Sequence, residues 1–408
     1  MLCLALAMAP SALAGTTISL DEAISRALQF VPTLDAARAQ SDLGGAKEME
    51  ARAPLYPDIW ANAEYNQAPG YDQIITNRGL TLSQLALNYV AFDGGRVRAQ
   101  ARAARYAAEA AALGLDAARA QIVFDTTVAF SDLLRARATE RELTASVGKL
   151  ERYVSIVDAL RRSGRAIAND ALKLRTTRDS AELALAAARQ AAAHASILLA
   201  SMIGEDGRDD LVAGGDNSLP TPANGDLVQS PALRASARQV ESAKLAVTAA
   251  RAERSPTVKL ALTTGWEGID PPKTFGRHLG ASYDGALAVP IFQGGLVRSH
   301  IDEALAAQHS AEAQRRQIEL ELRRDLADAK SRYQSARDQL ALLASSQETA
   351  DDASALMWTR FLGGGNATML DVTDAYQQAE TLRLARFDNE FAMRQATAQI
   401  ALIFGIAR

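Results

Sequence analysis

Two stretches of 67 residues, 96–162 and 296–362, contain no proline; the first holds two glycines and the second none. An alanine-rich run of that length without a helix breaker reads as one continuous helix of roughly 100 Å. Such a helix has no globular core of its own. It must be sheathed by neighbouring helices, and small alanines let those neighbours approach closely. Further proline-free helices follow after a short break, at about 168–203 and 366–404, with Gly204 and Gly405 standing as C-terminal stops. The chain is thereby committed to two long helical hairpins, at about 94–203 and 294–404.

The hairpins belong to a duplication. "VAFDGGRVRA" (90–99) is echoed by "VPIFQGGLVRS" (289–299), so that Phe92, Gly94 and Gly95 recur as Phe292, Gly294 and Gly295. Pro32-Thr33-Leu34 resembles Pro231-Ala232-Leu233, and "YPDIWANAEY" (56–65) resembles "SPTVKLALTT" (255–264). "GRAIANDAL" (164–172) is answered by "GNATMLDVT" (365–373), and "SMIGED" by "LIFGIA". The order is kept while the spacing drifts only from 199 to 201 residues. We read a first repeat over 15–203, a Gly-, Pro- and Asp-rich linker over 204–225 and a second repeat over 226–408.

Each repeat opens with a helix. The first has Ser19 and Glu22 spaced as a capping box and runs toward Arg52; the second runs from about Ser230 to Arg254. Alternating segments follow at about 55–66 and 79–91, and again at 256–266 and 279–291. Period two over about ten residues marks strands whose two faces meet different solvents. Leu80 and Leu82 are out of phase with Leu85, Leu87 and Tyr89, which predicts a bulge near Ser83. The glycine pairs then turn a strand into a helix without a loop, using backbone conformations that a Cβ disfavours.

Residues 1–14, "MLCLALAMAPSALA", form an apolar stretch ending in an A-x-A pattern, expected as a cleaved signal peptide whose basic start lies upstream. Cys3 is the single cysteine and falls inside it, so the mature chain has no thiol chemistry. Beyond it no apolar run is expected to reach the length of a membrane-spanning helix. That leaves a β-barrel. Four strands cannot close one, and an open edge is forbidden in lipid. Two chains supply eight strands, whose interior side chains fill, and three supply twelve, which leave a lumen. Asp58, Asn62, Glu64, Lys259 and Asp284 on the alternate faces suit a wet interior; Trp60 breaks that pattern.

Together these features resemble the TolC family of outer-membrane efflux proteins. The resemblance rests on the duplicated helix–strand–strand–helix–helix plan, on "FDGGRV" and "FQGGLV" opening the long helices, and on "GGNATMLDVTDAYQQAE" at the second turn. It covers about 18–408. It implies a mainly α fold with a membrane β-barrel: a homotrimer with a 12-stranded barrel in the outer membrane of a Gram-negative bacterium, continued by a 12-helix periplasmic tunnel of antiparallel coiled-coil helices. It also implies a periplasmic adaptor (membrane fusion) protein and an inner-membrane pump of RND, ABC or MFS type as partners, in efflux or type I secretion. The competing reading is a periplasmic coiled-coil adaptor or scaffold without a pore.

Candidate sites follow. Asp371 and Asp374 share a helix face at i, i+3. The resemblance makes them an acidic ring at the periplasmic entrance, with mutual repulsion raising their pKa values; the plainer role is acids opposing a helix dipole. Gly164 and Gly365 are matched as turn glycines, and with Asp170 they mark hairpin tips that meet the adaptor. Lys173 replaces the second acid in the first repeat. The family's polar gate positions fall here on Leu362 and Ala367, so Arg161, Arg162 and Arg165 either substitute for that lock or are solvated. His194, His278, His300 and His309 show no ligand spacing, and no phosphate loop or nucleophile signature appears. No metal, no cofactor and no enzyme activity is expected. With 48 acidic and 44 basic side chains (Lys and Arg), nucleic acid is not an expected partner.

Overall fold

The computed structural model describes residues 17–76, 78–205, 207–214, 218–269 and 279–406. In chain order the elements are β1 (Thr17–Ile18), α1 (Leu20–Phe30), α2 (Pro32–Arg52), β2 (Asp58–Gln67), the short α3 (Gln73–Thr76), β3 (Gly79–Phe92), α4 (Arg96–Arg162), α5 (Ala168–Met202), β4 (Val212–Ala213), α6 (Pro231–Ala252), β5 (Thr257–Ile269), β6 (Gly280–Ala288), α7 (Leu296–Leu362) and α8 (Met369–Phe404). The expected signal peptide and His278 lie outside the described residues.

The first helix does not run unbroken to Arg52. Ser19 Oγ accepts from the Glu22 N–H at 3.2 Å, but the Glu22 carboxylate pairs with Arg26. Pro32 then pushes Val31 into extended backbone (φ −71°, ψ 117°). The chain restarts as α2 with proline at the first helical position, where its missing N–H leaves no bond unmade.

Contacts divide the chain into two units. The first comprises the residues up to Asp35, Ala117–Ser230 and Leu322–Arg408. Its core is built from stripes spaced three and four residues apart, such as Leu174, Thr177, Ala181 and Leu185 on α5 and Met369, Val372, Tyr376 and Ala379 on α8. Against expectation, α5 contains an 18-residue window of mean hydropathy 1.3, enough by length and composition to cross a membrane. Part of that apolar surface is buried within the unit, at Ala192, Ala195, Leu199 and Ala200, while Ile197 and Leu198 are exposed.

Residues 204–225 are tied down where described, although their composition reads as a free linker. Ser196 Oγ donates to the Arg208 carbonyl at 3.1 Å and accepts from the Leu211 N–H at 3.0 Å. Arg137 donates to the carbonyls of Asp209 and Leu211 at 2.7 and 3.3 Å. β4 pairs in parallel with β1, and Leu211 is buried.

The second unit comprises Ala36–Asp116 and Pro231–Glu321. It holds an antiparallel sheet in the order β2-β3-β5-β6, so the two hairpins of the duplication are joined through β3 and β5. Opposed residues in antiparallel pairs share a face. One row runs Asp58, Asn88, Ala261, Asp284, and the next runs Trp60, Ala86, Thr263, Ser282. The opposite face carries Ile59, Leu87, Leu262 and Tyr283 in register. Trp60 belongs to the polar face and is held there by its Nε1–H, which donates to Asp58.

No bulge lies at Ser83, which pairs regularly with Ala63 and Trp266. Leu80 and Leu82 are out of phase because they sit on the polar face, opposite Asn66 and Glu64. The one irregularity in the β3–β5 register falls between Val90 and Phe92, next to the corner. β6 ends at Ala288 rather than near 291, two residues before Pro290, whose ring nitrogen cannot join a ladder. The sheet is a single layer: β2 and β6 are exposed along their length and form its two edges.

Candidate functional site

The strand-to-helix corners lie in the second unit. Gly94, Gly95, Gly294 and Gly295 all have positive φ, at 68°, 85°, 62° and 88°. Two successive left-handed residues explain why both repeats carry a glycine pair there. At Gly94 a Cβ would also lie 2.3 Å from the Ser255 side chain; at Gly95, Gly294 and Gly295 it would meet none of the described residues within 4 Å. The first corner has an anion at its helix start. Asp93 is buried and accepts from the N–H groups of Gly95 at 3.0 Å and Val97 at 2.7 Å. The second corner places Gln293 there, whose backbone carbonyl accepts from Leu296 at 3.1 Å. Phe92 is 52% exposed and Phe292 86%.

The hairpin turns lie in the first unit. α4 ends in a Schellman motif: Arg165 N–H donates to the Leu160 carbonyl at 2.8 Å, Gly164 N–H to Arg161 at 3.1 Å, and Gly164 has φ 73°. α7 ends the same way, with Gly365 N–H donating to the Arg360 carbonyl at 2.9 Å and Gly364 N–H to Phe361 at 3.3 Å. The left-handed residue is Gly364, with φ 72°. The conformational equivalent of Gly164 is therefore Gly364, not Gly365. The second connection is one residue longer, and the extra residue falls after the glycines.

Both returning helices are capped by an aspartate. Asp371 accepts from the Thr368 N–H at 2.7 Å and from the Thr368 hydroxyl at 2.8 Å, while the Asp371 N–H donates to Thr368 Oγ1 at 3.2 Å. In the first turn only the reciprocal half exists: Asp170 accepts from the Ile167 N–H at 3.1 Å, since Ile167 has no side-chain acceptor. These cap bonds hold the Asp371 carboxyl below the ordinary carboxylate range. That is opposite in sign to the elevation expected from crowded acids, because within one chain the cap is the nearer influence. Asp371 and Asp374 do face one groove, an open cleft of about 1190 Å³ between α7 and α8 that also presents Thr349, Gln377 and Gln378.

Behind the turns lies a polar belt that short-range sequence reasoning does not detect. Arg383 on α8 donates to Glu142 on α4 at 2.9 Å and to Asp351 on α7. About one helical turn nearer the hairpin turn, Ser146 hydrogen-bonds both the Tyr376 hydroxyl and Glu380. Tyr376 is 2% exposed, and burial pushes its phenol up to about 12. Lys149 lies over the rings of Tyr153 and Tyr376, and burial, followed by the Arg383 charge, lowers its pKa. Tyr153 stacks on Trp358 at 3.6 Å between ring centroids. The available sequence signal is the spacing of Met369, Val372, Tyr376 and Ala379, which puts the tyrosine on the buried stripe. At the gate positions, the Leu362 carbonyl accepts from Arg165 at 3.2 Å. His300 Nδ1 lies 2.8 Å from a Glu253 oxygen.

Comparison with known proteins places this architecture. Its fold is similar to the outer membrane protein VceC of Vibrio cholerae (TM-score 0.83, 20% identity, covering 95% of this chain and 96% of that one). It is also similar to the CmeC outer membrane channel of Campylobacter jejuni (TM-score 0.84, 17% identity, 95% and 86% covered). In sequence the chain is 27% identical to Protein CyaE of Bordetella pertussis over 313 residues, which is 72% of this chain and 65% of CyaE. The Outer membrane efflux protein profile matches residues 23–205 and 226–406, so it takes in both hairpins, both corners and all four strands of the sheet. A chain matched across both of its halves in this way is a member of the outer membrane efflux protein family.

Proposed function

We propose that three copies of this chain assemble into an outer-membrane exit duct that passively conducts what an inner-membrane pump delivers through a periplasmic adaptor. The observation that carries this reading is the sheet of the second unit. It is one layer thick, polar on one face and apolar on the other, and among the described residues both its edges are unpaired. Bare edges are incompatible with lipid, so the sheet needs copies of itself to close. Three copies give twelve strands, wide enough for a lumen lined by Asp58, Asn62, Glu64, Lys259 and Asp284. The pump is of RND, ABC or MFS type, and the role is efflux or type I secretion. The hairpin turns around Gly164, Asp170, Gly364 and Gly365 meet the adaptor, and Asp371 and Asp374 of three copies converge at the entrance. The duct does no chemistry of its own and needs no cofactor.

A four-stranded amphipathic sheet has no place in a poreless periplasmic adaptor, which argues against that alternative. The test is fractionation followed by sizing: the protein should partition with outer membrane and run as a trimer in mild detergent. A soluble monomer in the periplasmic fraction overturns the proposal.

A further inference from the structure

We infer that the turn of the first hairpin is a docking surface for an acidic protein end; this rests on the proposed meeting of the hairpin turns with an adaptor. The two turns are repeats of one another but differ in charge. Residues 158–178 carry Arg161, Arg162, Arg165, Lys173, Arg175 and Arg178 against Asp158 and Asp170. The matching residues 358–379 carry Arg360 against Asp371 and Asp374.

The acids of the first turn are already engaged within the chain. Asp158 holds Arg175 at 2.8 Å, which ties α4 to α5 and lowers the Asp158 pKa. Asp170 caps α5. Arg178 is paired with Asp179. Arg161, Arg162, Arg165 and Lys173 are all exposed, Arg161 lying 3.9 Å from Asp158 and Arg165 donating to the Leu362 carbonyl.

Among these cations stand two aliphatic side chains, Ile167 (64% exposed) and Leu172 (60% exposed). The turn is shaped by the Schellman motif, and its Ala166 packs with the stacked Tyr153 and Trp358 against the buried cluster. Exposed aliphatic and cationic side chains sharing one turn have the composition of a protein-docking patch. Its charge selects a partner end that offers an apolar side chain among carboxylates, and steers that end in at low ionic strength. An anionic bilayer would also accept cations and aliphatic groups, so a crosslink to lipid is the outcome that identifies it.

The experiment places a photo-crosslinking phenylalanine analogue at Leu172 of the full chain in its own cells and sequences the crosslinked peptide. In parallel, R162E/K173E and the conservative R162K/K173R are compared with wild type in restoring export to a deletion strain. Trimer yield and planar-bilayer conductance of each variant check assembly. The expected crosslink is to a different protein, in a segment with more Asp and Glu than Lys and Arg. Charge reversal should cut export about tenfold or more, while the conservative pair retains it. A crosslink to a second copy of this chain, to lipid or to a basic segment overturns the inference, as does undiminished export by an assembled R162E/K173E trimer. A wild-type chain that forms no conducting trimer overturns the duct itself, and this surface with it, which is a separate result.

Discussion

Gly94 and Gly295 share a sign of φ but not a surrounding, and that difference sets how each tolerates a side chain. Alanine at Gly295 meets only the cost of left-handed backbone, about 1–2 kcal/mol. At Gly94 the same cost is joined by the 2.3 Å approach to Ser255. Gly94→Ala should therefore lower the dissociation temperature of the detergent-solubilised trimer clearly more than Gly295→Ala, and valine should be worse at both. Equal effects would show that Ser255 moves aside freely. A second residue-scale prediction concerns Tyr376. Burial raises its pKa from 10.0 to about 12. A raised pKa contributes stability that is present below pH 10 and lost as pH climbs from there through the folded value, because the unfolded phenol ionises first. In an ultraviolet titration of the folded protein, the tyrosinate signal missing from Tyr376→Phe should be the part that appears last, above the bulk of the nine tyrosines. Parallel titration curves in wild type and variant would contradict this.

At the scale of elements, the belt around Arg383 fastens α8 to both α4 and α7. Removing the guanidinium takes from Glu142 and Asp351 the cation that hydrogen-bonds both, although the charge of Lys149 still reaches them. Arg383→Leu should destabilise the first unit by about 2 kcal/mol, less than a fully buried pair because Asp351 is partly exposed. A double-mutant cycle with Glu142→Gln in chemical denaturation measures the coupling, and simple additivity would show that the pair is not acting as one. This belt also shows where sequence reading stops. The long helices, the four strands and the glycine corners are legible because each is written locally, by the absence of proline, by alternation, or by a repeated pair. Glu142 and Arg383 are 241 residues apart, and nothing in either neighbourhood names the other. Gly364 was hidden for a different reason: aligning the repeats on their aspartates assigns the extra residue to the wrong side of the glycines. The Leu80 and Leu82 phase has a simpler cause, since a leucine on a polar face imitates a bulge.

For the whole molecule, the entrance gives the sharpest test. In a trimer, Asp371 and Asp374 would bring six carboxylates around one axis, whereas in the single chain Asp371 is drawn into a helix cap. If the ring operates, the reconstituted trimer should prefer cations and be blocked by multivalent cations added from the periplasmic side. D371N/D374N should weaken both effects while trimer yield changes little. Unchanged selectivity and block would leave Asp371 with its capping role alone. Asparagine at 371 keeps an acceptor for Thr368, so the variant separates charge from capping.

The one-residue difference between the two turns has a consequence for symmetry. Three copies of a duplicated chain offer six hairpins, and six identical hairpins would present a sixfold face. Here five residues, 163–167, connect α4 to α5, and six, 363–368, connect α7 to α8. The glycines, caps and charges differ accordingly. In the proposed trimer the face is then an alternation of two kinds of socket, with only threefold equivalence. Any sixfold arrangement of partners would occupy two unlike environments, so six copies of one docking protein must bind in two affinity classes of three.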